Sequence, residues 1–241
     1  MKNYLVSELA PGVYAAAIAD TNSWDMMTYT NFYILRREGQ TVLIDAGMKT
    51  YEAEMQAIFR EIGIKAEDIS HLLLTHGHHD HVDGANSFTK AAKYIHALDM
   101  PLVGRSLARQ FTTYQPVREF FFCAPGVEGL EVILVNSHTP GSVAIYDPLS
   151  TALFVGDFFC FFGEELPEGA LVSKGEQCRE ESYQYVADQA ANSPAEAEKL
   201  RCGLGKLLEY RPGFLCTGHG VILKGDIQEF LTELWKNARG K

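Results

Sequence analysis

The sequence lacks any long hydrophobic run. A membrane-spanning helix needs about 18 consecutive apolar residues, and no stretch of the 241-residue chain reaches that length. The N-terminal stretch MKNYLVSE also lacks the apolar core of a secretory signal peptide. From these absences we expect a cytoplasmic protein that does not bind membranes.

Paired cysteines and an excess of basic residues are missing as well. The cysteines never occur as Cys-x-x-Cys and number five, an odd count that is typical of free thiols in a reducing compartment. They are Cys123, Cys160, Cys178, Cys202 and Cys216. Acidic residues outnumber basic ones by 31 to 21, and the formal net charge is −10. Such a surface repels phosphate backbones, so we expect no nucleic-acid partner.

The chain does contain apolar strand segments that alternate with helical periodicity. Two strands joined by a hairpin turn, 31–35 and 41–45, are expected to open the fold. The other predicted strands are 69–75, 131–135, 142–146, 152–155 and 214–217. Apolar spacing predicts helices over 55–62, after a capping box of Ser193 and Glu196, and after a similar start at Asp226 and Glu229. With no linker rich in proline, glycine or serine, we predict one α/β domain over residues 1–241.

Metal-binding side chains cluster where the predicted strands end. His76, His78, Asp80 and His81 follow strand 69–75 within six residues. Three single residues, His138, Asp157 and His219, follow three later strands. Each single residue alone is as easily structural as functional, but loops at strand ends of open α/β folds converge on one crevice. Imidazole and carboxylate groups together suit zinc or iron, so the pattern predicts one metal site.

The order His-x-His-x-Asp-His, then His, Asp and His, resembles the metallo-β-lactamase superfamily, and residues 42–47 resemble its first motif. The resemblance implies a four-layer αββα sandwich with two metal ions at one edge of its sheets. It implies that Asp157 bridges the two ions and that Asp45 orients the cluster. The ligands implied for the first ion are His76, His78 and His138, and those for the second are Asp80, His81 and His219.

This resemblance also implies a metal-dependent hydrolase. A hydroxide that bridges the two ions would attack a small ester, thioester or lactone, with Asp80 as both ligand and orienting catalytic group. Two divalent ions are expected, zinc first, with iron or manganese as alternatives. An iron-dependent oxidoreductase similar to the persulfide dioxygenases, a phosphodiesterase and a non-catalytic metal-binding protein stay open.

Several positions bear on the substrate. The glyoxalase II branch usually has a second histidine where this chain has Ser142, and the best-known β-lactamases usually have cysteine or serine where it has Asp157. We expect pocket walls from the loop 20–31, from 158–162 and from residues near 111–122, and we interpret the polar segment 161–192 as an insertion near the site. The apolar residues of these walls could belong to the core, line an apolar pocket or form a homodimer contact, and the sequence leaves these three roles open. They are Trp24, Met26, Met27, Tyr29, Phe158, Phe159, Phe161 and Phe162. We expect His79 not to be a ligand and assign no role to His71 and His96.

Overall fold

The computed structural model describes residues 2–20, 27–161, 166 and 170–239. The strands within these residues are β1 (Tyr4–Ala10), β2 (Val13–Asp20), β3 (Thr28–Arg37), β4 (Gln40–Ile44), β5 (His71–Leu73), β6 (Ala92–Ile95), β7 (Phe111–Thr113), β8 (Gln115–Arg118), β9 (Phe121–Cys123), β10 (Glu131–Leu134), β11 (Val143–Asp147), β12 (Ala152–Gly156), β13 (Val172–Ser173), β14 (Phe214–Thr217) and β15 (Ile222–Lys224). The α-helices are α1 (Glu52–Glu61), α2 (His79–Val82), α3 (Arg105–Ala108), α4 (Glu176–Asn192), α5 (Pro194–Leu207) and α6 (Ile227–Asn237).

These strands form two mixed sheets. The described residues of the first sheet run in chain order from β1 to β7, antiparallel up to β4 and parallel from β4 to β7. The second sheet has the order β13-β15-β14-β12-β11-β10-β9-β8. In it, β12 and β14 lie side by side and parallel, so the chain leaves both strands at the same edge.

Apolar side chains fill the space between the sheets and cover both outer faces. Tyr33 and Phe154 pack between the two sheets with ring centroids 4.9 Å apart and ring planes tilted by 57°. On the outside of the first sheet, α1 buries Met55, Ile58 and Phe59. Helices α4, α5 and α6 pack on the outside of the second sheet in a cluster that includes the fully buried Phe230. The predicted four-layer αββα sandwich is therefore confirmed.

The expectation that strand 31–35 opens the fold is wrong, because β1 and β2 precede it. Strand β2 has the sequence VYAAAIAD, and alanine is a weak indicator of a strand. Ala15, Ala16 and Ala17 are nevertheless fully buried. Burial against both neighbouring layers therefore stabilises a strand that local propensity does not favour.

The two predicted side-chain caps are wrong as well. Helix α5 begins at Pro194, but the Ser193 side chain makes no capping hydrogen bond, and its backbone carbonyl accepts from Glu196 N at 3.0 Å instead. The Glu196 carboxylate lies 2.8 Å from Lys199 Nζ. Asp226 precedes α6 with a φ of 51°, again without a side-chain cap.

The polar segment 161–192 contains β13 and α4. Helix α4 packs against both α5 and α6, and its residues Cys178 and Val186 are buried. Its interpretation as an insertion stays a prediction. None of the helices in the described part of the chain combines the length and the apolar content of a membrane span.

Candidate metal centre

The strands bring the predicted ligands to one edge of the sandwich. Asp157 directly follows β12, and His219 comes two residues after β14, its parallel neighbour. The first sheet meets this edge through Asn31, whose backbone N–H donates to Gly218 O at 2.8 Å and whose side chain donates to Thr217 O at 3.1 Å. The edge is therefore a junction between the two sheets.

All seven predicted ligands lie at this junction in two groups that share Asp157. The atoms that could bind a metal lie within 4.8 Å of one another in each group. The first group is His76, His78, His138 and Asp157, and the second is Asp80, His81, Asp157 and His219. That these side chains hold metal ions stays a prediction.

Distances within each group fit a bound ion. Ligand atoms about 2.0–2.1 Å from a tetrahedral zinc ion stand roughly 3.3 Å from one another. In the first group, His138 Nε2 lies 2.9 Å from His78 Nδ1 and 3.5 Å from Asp157 Oδ2. In the second, His219 Nε2 lies 3.1 Å from Asp80 Oδ2, and His81 Nε2 lies 3.2 Å from Asp157 Oδ1.

Hydrogen bonds on the outer side of two imidazoles fix which nitrogen faces the centre. His81 Nδ1 donates to Asp45 Oδ2 at 3.0 Å, and His219 Nδ1 donates to the Tyr29 carbonyl at 3.1 Å. Each ring therefore presents Nε2 to the centre, which is the usual arrangement of a metal-binding histidine. Asp45 also accepts from the backbone and the hydroxyl of Thr75, both at 2.8 Å, so it lies in the orienting place that the resemblance implies.

Burial and charge shift the pKa values of the cluster in opposite directions. Burial holds the pKa of His76 well below its usual value, with a further contribution from the charge of His81. Burial also opposes charge on His81, but the Asp157 and Asp45 carboxylates outweigh it and raise its pKa well above the usual value. Burial alone would raise the carboxyl pKa of Asp157, but the nearby imidazoles of His81 and His219 together outweigh it and hold that pKa well below its ordinary range. Asp157 is therefore an ionised carboxylate.

Three buried polar atoms also fit a bound cation. Among the described residues, His76 Nε2, Asp80 Oδ2 and Asp157 Oδ1 have no hydrogen-bond partner. Buried polar groups in native proteins are nearly always satisfied, and where no protein group satisfies them an ion or a water commonly does. The chemistry of the donor set and these three atoms together fit a pair of divalent cations.

A cavity of about 760 Å³ opens onto the cluster. Its floor includes His78, Asp80 and Asp157, and one wall is aromatic. That wall is formed by Phe158, Phe159, Phe161 and Tyr185. The volume lies within the range of about 300–1,000 Å³ that is typical of small-molecule sites.

Only part of the predicted pocket wall lies at this cavity. Residues 158–161 line it, and Phe158, Phe159 and Phe161 belong at the same time to the core between the second sheet and its helices. Trp24, Met26 and Phe162 lie outside the described residues. The expectation for residues near 111–122 is wrong for the cavity lining. Strands β7 and β8 are the outermost strands of their sheets, and β9 lies next to β8. The Phe122 ring packs on His96, with ring centroids 4.7 Å apart.

Segment 161–192 was expected near the site, but the sequence did not reveal that its helix α4 lines the cavity, and it gave no signal for one buried carboxylate. Cys178, Glu181, Ser182 and Tyr185 of α4 line the cavity, although the helix has no clear apolar face in its sequence. Asp99 is fully buried beside the loops that carry His78 and His138. His79 is largely exposed, and His71 and His96 lie outside both ligand groups.

Comparison with known proteins identifies the family. The sequence profile described as "Metallo-beta-lactamase superfamily" matches residues 27–219, which is well over half of the chain. The chain belongs to the metallo-beta-lactamase superfamily. The resemblance inferred from the motif order is thereby confirmed, and the superfamily match covers all seven predicted ligands.

Relatives within the superfamily include proteins of animals and bacteria. The chain is 32% identical over 123 residues to Metallo-beta-lactamase domain-containing protein 1 of Xenopus laevis, which is 49% of this chain and 50% of that protein. It is 24% identical over 228 residues to Uncharacterized protein YobT of Bacillus subtilis (strain 168), covering 87% of this chain and 91% of that one. The chain therefore spans half the length of the first of these relatives.

Solved structures with the same fold include flavodiiron proteins. A mutant of the flavo di-iron protein from Thermotoga maritima matches with a TM-score of 0.77 and 19% identity, covering 99% of this chain and 63% of that one. The flavodiiron protein from Giardia intestinalis matches with a TM-score of 0.75 and 18% identity, covering 97% of this chain and 59% of that one. These likenesses establish the superfamily fold.

Proposed function

We propose that this protein is a dinuclear metal-dependent hydrolase that cleaves a small ester, thioester or lactone. The observation that carries the proposal is the pair of ligand groups sharing Asp157 on the floor of a cavity with an aromatic wall. When bound, two divalent cations supply a shared water of lowered pKa and stabilise charge that develops on the substrate oxygen. The metal pair suits an acyl group, and the aromatic wall suits an apolar substituent on it.

Side chains of this chain would orient the reaction. Asp80 lies in the second ligand group and also lines the cavity. Its carboxylate would therefore help to hold the metal and would also face a bound substrate. Burial alone would raise its pKa, but the adjacent imidazoles of His219 and His81 together outweigh that effect and hold it well below its ordinary range. Asp80 would therefore stay ionised and accept a hydrogen bond throughout the neutral range.

The aromatic wall would select the substrate. Phe158 and Phe159 lie in contact, with ring centroids 4.9 Å apart, and present an apolar face beside Asp157. The thiol of Cys160 also lines the cavity, but burial and the Asp157 carboxylate raise its pKa well above its usual value. A protonated thiol is a poor nucleophile, which supports a metal-dependent route over a cysteine nucleophile.

A substrate panel tests this proposal. Metal-free protein would be loaded with zinc, manganese or iron and assayed on aryl esters, thioesters, lactones and phosphodiesters. We expect ester, thioester or lactone cleavage that requires added metal and does not consume oxygen. Asp80→Asn should reduce kcat at least 100-fold, whereas Asp83→Asn, at an exposed aspartate three residues further along, should leave it unchanged. Equal activity of the Asp80→Asn and wild-type proteins would contradict the role of Asp80.

A second candidate is an iron-dependent oxidoreductase. It is favoured by the match to flavodiiron proteins, which share the fold at under 20% identity, and by the fact that iron accepts the same histidine and carboxylate ligands. Metal analysis of protein purified without added metal separates the two candidates. Two iron ions per chain with oxygen-consuming turnover would support the oxidoreductase, and oxygen-independent cleavage of esters would support the hydrolase.

A further inference from the structure

Asp99 connects the two loops that carry the ligands of the first group. It lies in a short 3-10 helix, Ala97–Leu102, and its side chain is fully buried. Oδ2 accepts from Gly77 N at 2.9 Å and from the Thr139 hydroxyl at 2.6 Å. Oδ1 accepts from Gly141 N at 2.6 Å. One carboxylate therefore bonds to the residue between His76 and His78 and to both sides of the turn that follows His138.

The glycines of the two loops fit this close approach. A Cβ on Gly141 would lie 2.7 Å from Asp99 Oδ1 and from its backbone nitrogen. A Cβ on Gly77 would lie 2.9 Å from the Asp99 carbonyl oxygen and 2.9 Å from Leu102 Cβ. Such distances are too short for real carbon contacts, so glycine at both positions lets the loops close around Asp99. Asp99, Gly77, Thr139 and Gly141 form one packed unit, which we call the Asp99 clamp.

We infer that Asp99 is a positioning residue for the first metal subsite, formed by His76, His78 and His138. This inference rests on the proposed dinuclear site. Asp99 does not lie in either ligand group, so it acts through the loops that it holds. Asp45 accepts directly from His81 of the second subsite, and it also accepts from the Thr75 hydroxyl, which lies 3.1 Å from His76 Nδ1. Asp99 therefore supports the loops of the first subsite, whereas Asp45 acts mainly on the second.

Metal affinity measured with isosteric variants tests the inference. Asp99→Asn keeps the side-chain volume but places an amide N–H against a donor, which disturbs the clamp. Outer-sphere partners of metal ligands typically change affinity by roughly 10–100-fold, and we expect a loss of that size for one of two zinc ions. Thr139→Val removes only the hydroxyl donor and should weaken the same ion less. Asp45→Asn should instead lower the affinity for the ion of the second subsite.

Cobalt(II) spectra assign the ion that is lost. His78→Ala removes a ligand of the first subsite alone, and His219→Ala removes one of the second subsite alone. Their absorption spectra serve as references for a single loaded subsite. The singly loaded Asp99→Asn protein should give the spectrum of His78→Ala. A spectrum like that of His219→Ala, or wild-type affinity for both ions, would overturn the inference.

Asp147→Asn is a matched control for the loss of a buried carboxylate. Asp147 is also buried and accepts from a hydroxyl, Ser150 at 2.7 Å, and a backbone N–H, Leu149 at 3.1 Å, as well as from Arg37 at 2.6 Å. It lies outside both ligand groups. We expect its variant to bind both ions with affinities within twofold of wild type. An equal loss of metal in Asp147→Asn would show that general destabilisation explains the effect.

Amide hydrogen exchange in metal-free protein gives a readout that does not depend on metal. The Gly77 and Gly141 amides should exchange slowly in the wild type and at least tenfold faster in Asp99→Asn. Wild-type protein that binds fewer than two ions would overturn the proposed function, and the exchange rates would then decide the clamp. Unchanged exchange at both glycines would overturn the clamp even if the wild type binds two ions.

Discussion

Removal of metal should destabilise the protein by an amount that the structure allows us to estimate. The side chains of His76, Asp80 and Asp157 are 1%, 3% and 6% exposed, and each has one buried atom without a hydrogen-bond partner among the described residues. An unsatisfied buried polar group costs about 1–3 kcal/mol. In metal-free protein, His81 Nε2 and His219 Nε2 lie 3.2 Å and 3.1 Å from the two carboxylate atoms and partly satisfy them. We therefore base the magnitude on one ion at about 1,000 times its Kd, which stabilises the folded state by about 4 kcal/mol.

Thermal unfolding with and without metal measures this effect. For a chain of this size, 1 kcal/mol shifts Tm by about 2–4 °C, so 4 kcal/mol corresponds to a shift of roughly 8–16 °C. Metal-free protein would be compared with protein in excess zinc by calorimetry. Asp157→Ala removes the shared ligand and should lose most of the shift, whereas Asp83→Ala should keep it. Midpoints of loaded and metal-free wild type within about 2 °C would refute the reasoning, as would an undiminished shift in Asp157→Ala.

Three further outcomes follow from packing and exposure. Gly203→Ala places a Cβ 2.7 Å from the Phe158 ring and should push that ring towards the cavity. We expect a higher KM and a loss of about 1–3 kcal/mol of stability, and an unchanged KM would contradict this. Phe230→Ala empties a fully buried position and should cost about 3–5 kcal/mol, measured by urea unfolding, and a loss below about 1 kcal/mol would disagree. The exposed Cys202 should react first with a thiol reagent, while the buried Cys216, whose pKa burial raises, should react only after unfolding; labelling of Cys216 in folded protein would refute its burial.

The clustering of the seven residues could be predicted because each lies in a segment that follows an apolar strand. Asp157 follows β12, whose residues Ala152 to Gly156 are all buried, and His219 follows β14. A buried strand is readable from local composition, and strand ends at one sheet edge converge through backbone geometry. Local information was therefore sufficient to predict that these side chains meet at one edge of the sandwich.

Helix α4 and the Asp99 clamp could not be predicted in the same way. Two of the 17 residues of α4, Cys178 and Val186, are fully buried, so the helix shows little apolar periodicity. The donors to Asp99 come from 22 to 42 residues away in the chain. A single aspartate between Leu98 and Met100 gives no local signal of such partners, because tertiary contacts alone create them.

The cavity draws its two sides from parts of the chain with different constraints. Ligand residues are tied to strand ends and to both sheets, so a change there disturbs the whole junction. Glu181, Ser182 and Tyr185 belong to a helix that packs mainly on α5 and α6. During divergence of the superfamily, substitutions in this helix can alter which small molecules the cavity accepts without altering the residues of the two ligand groups. Homologues that differ in α4 are therefore expected to share a mechanism and to prefer different compounds.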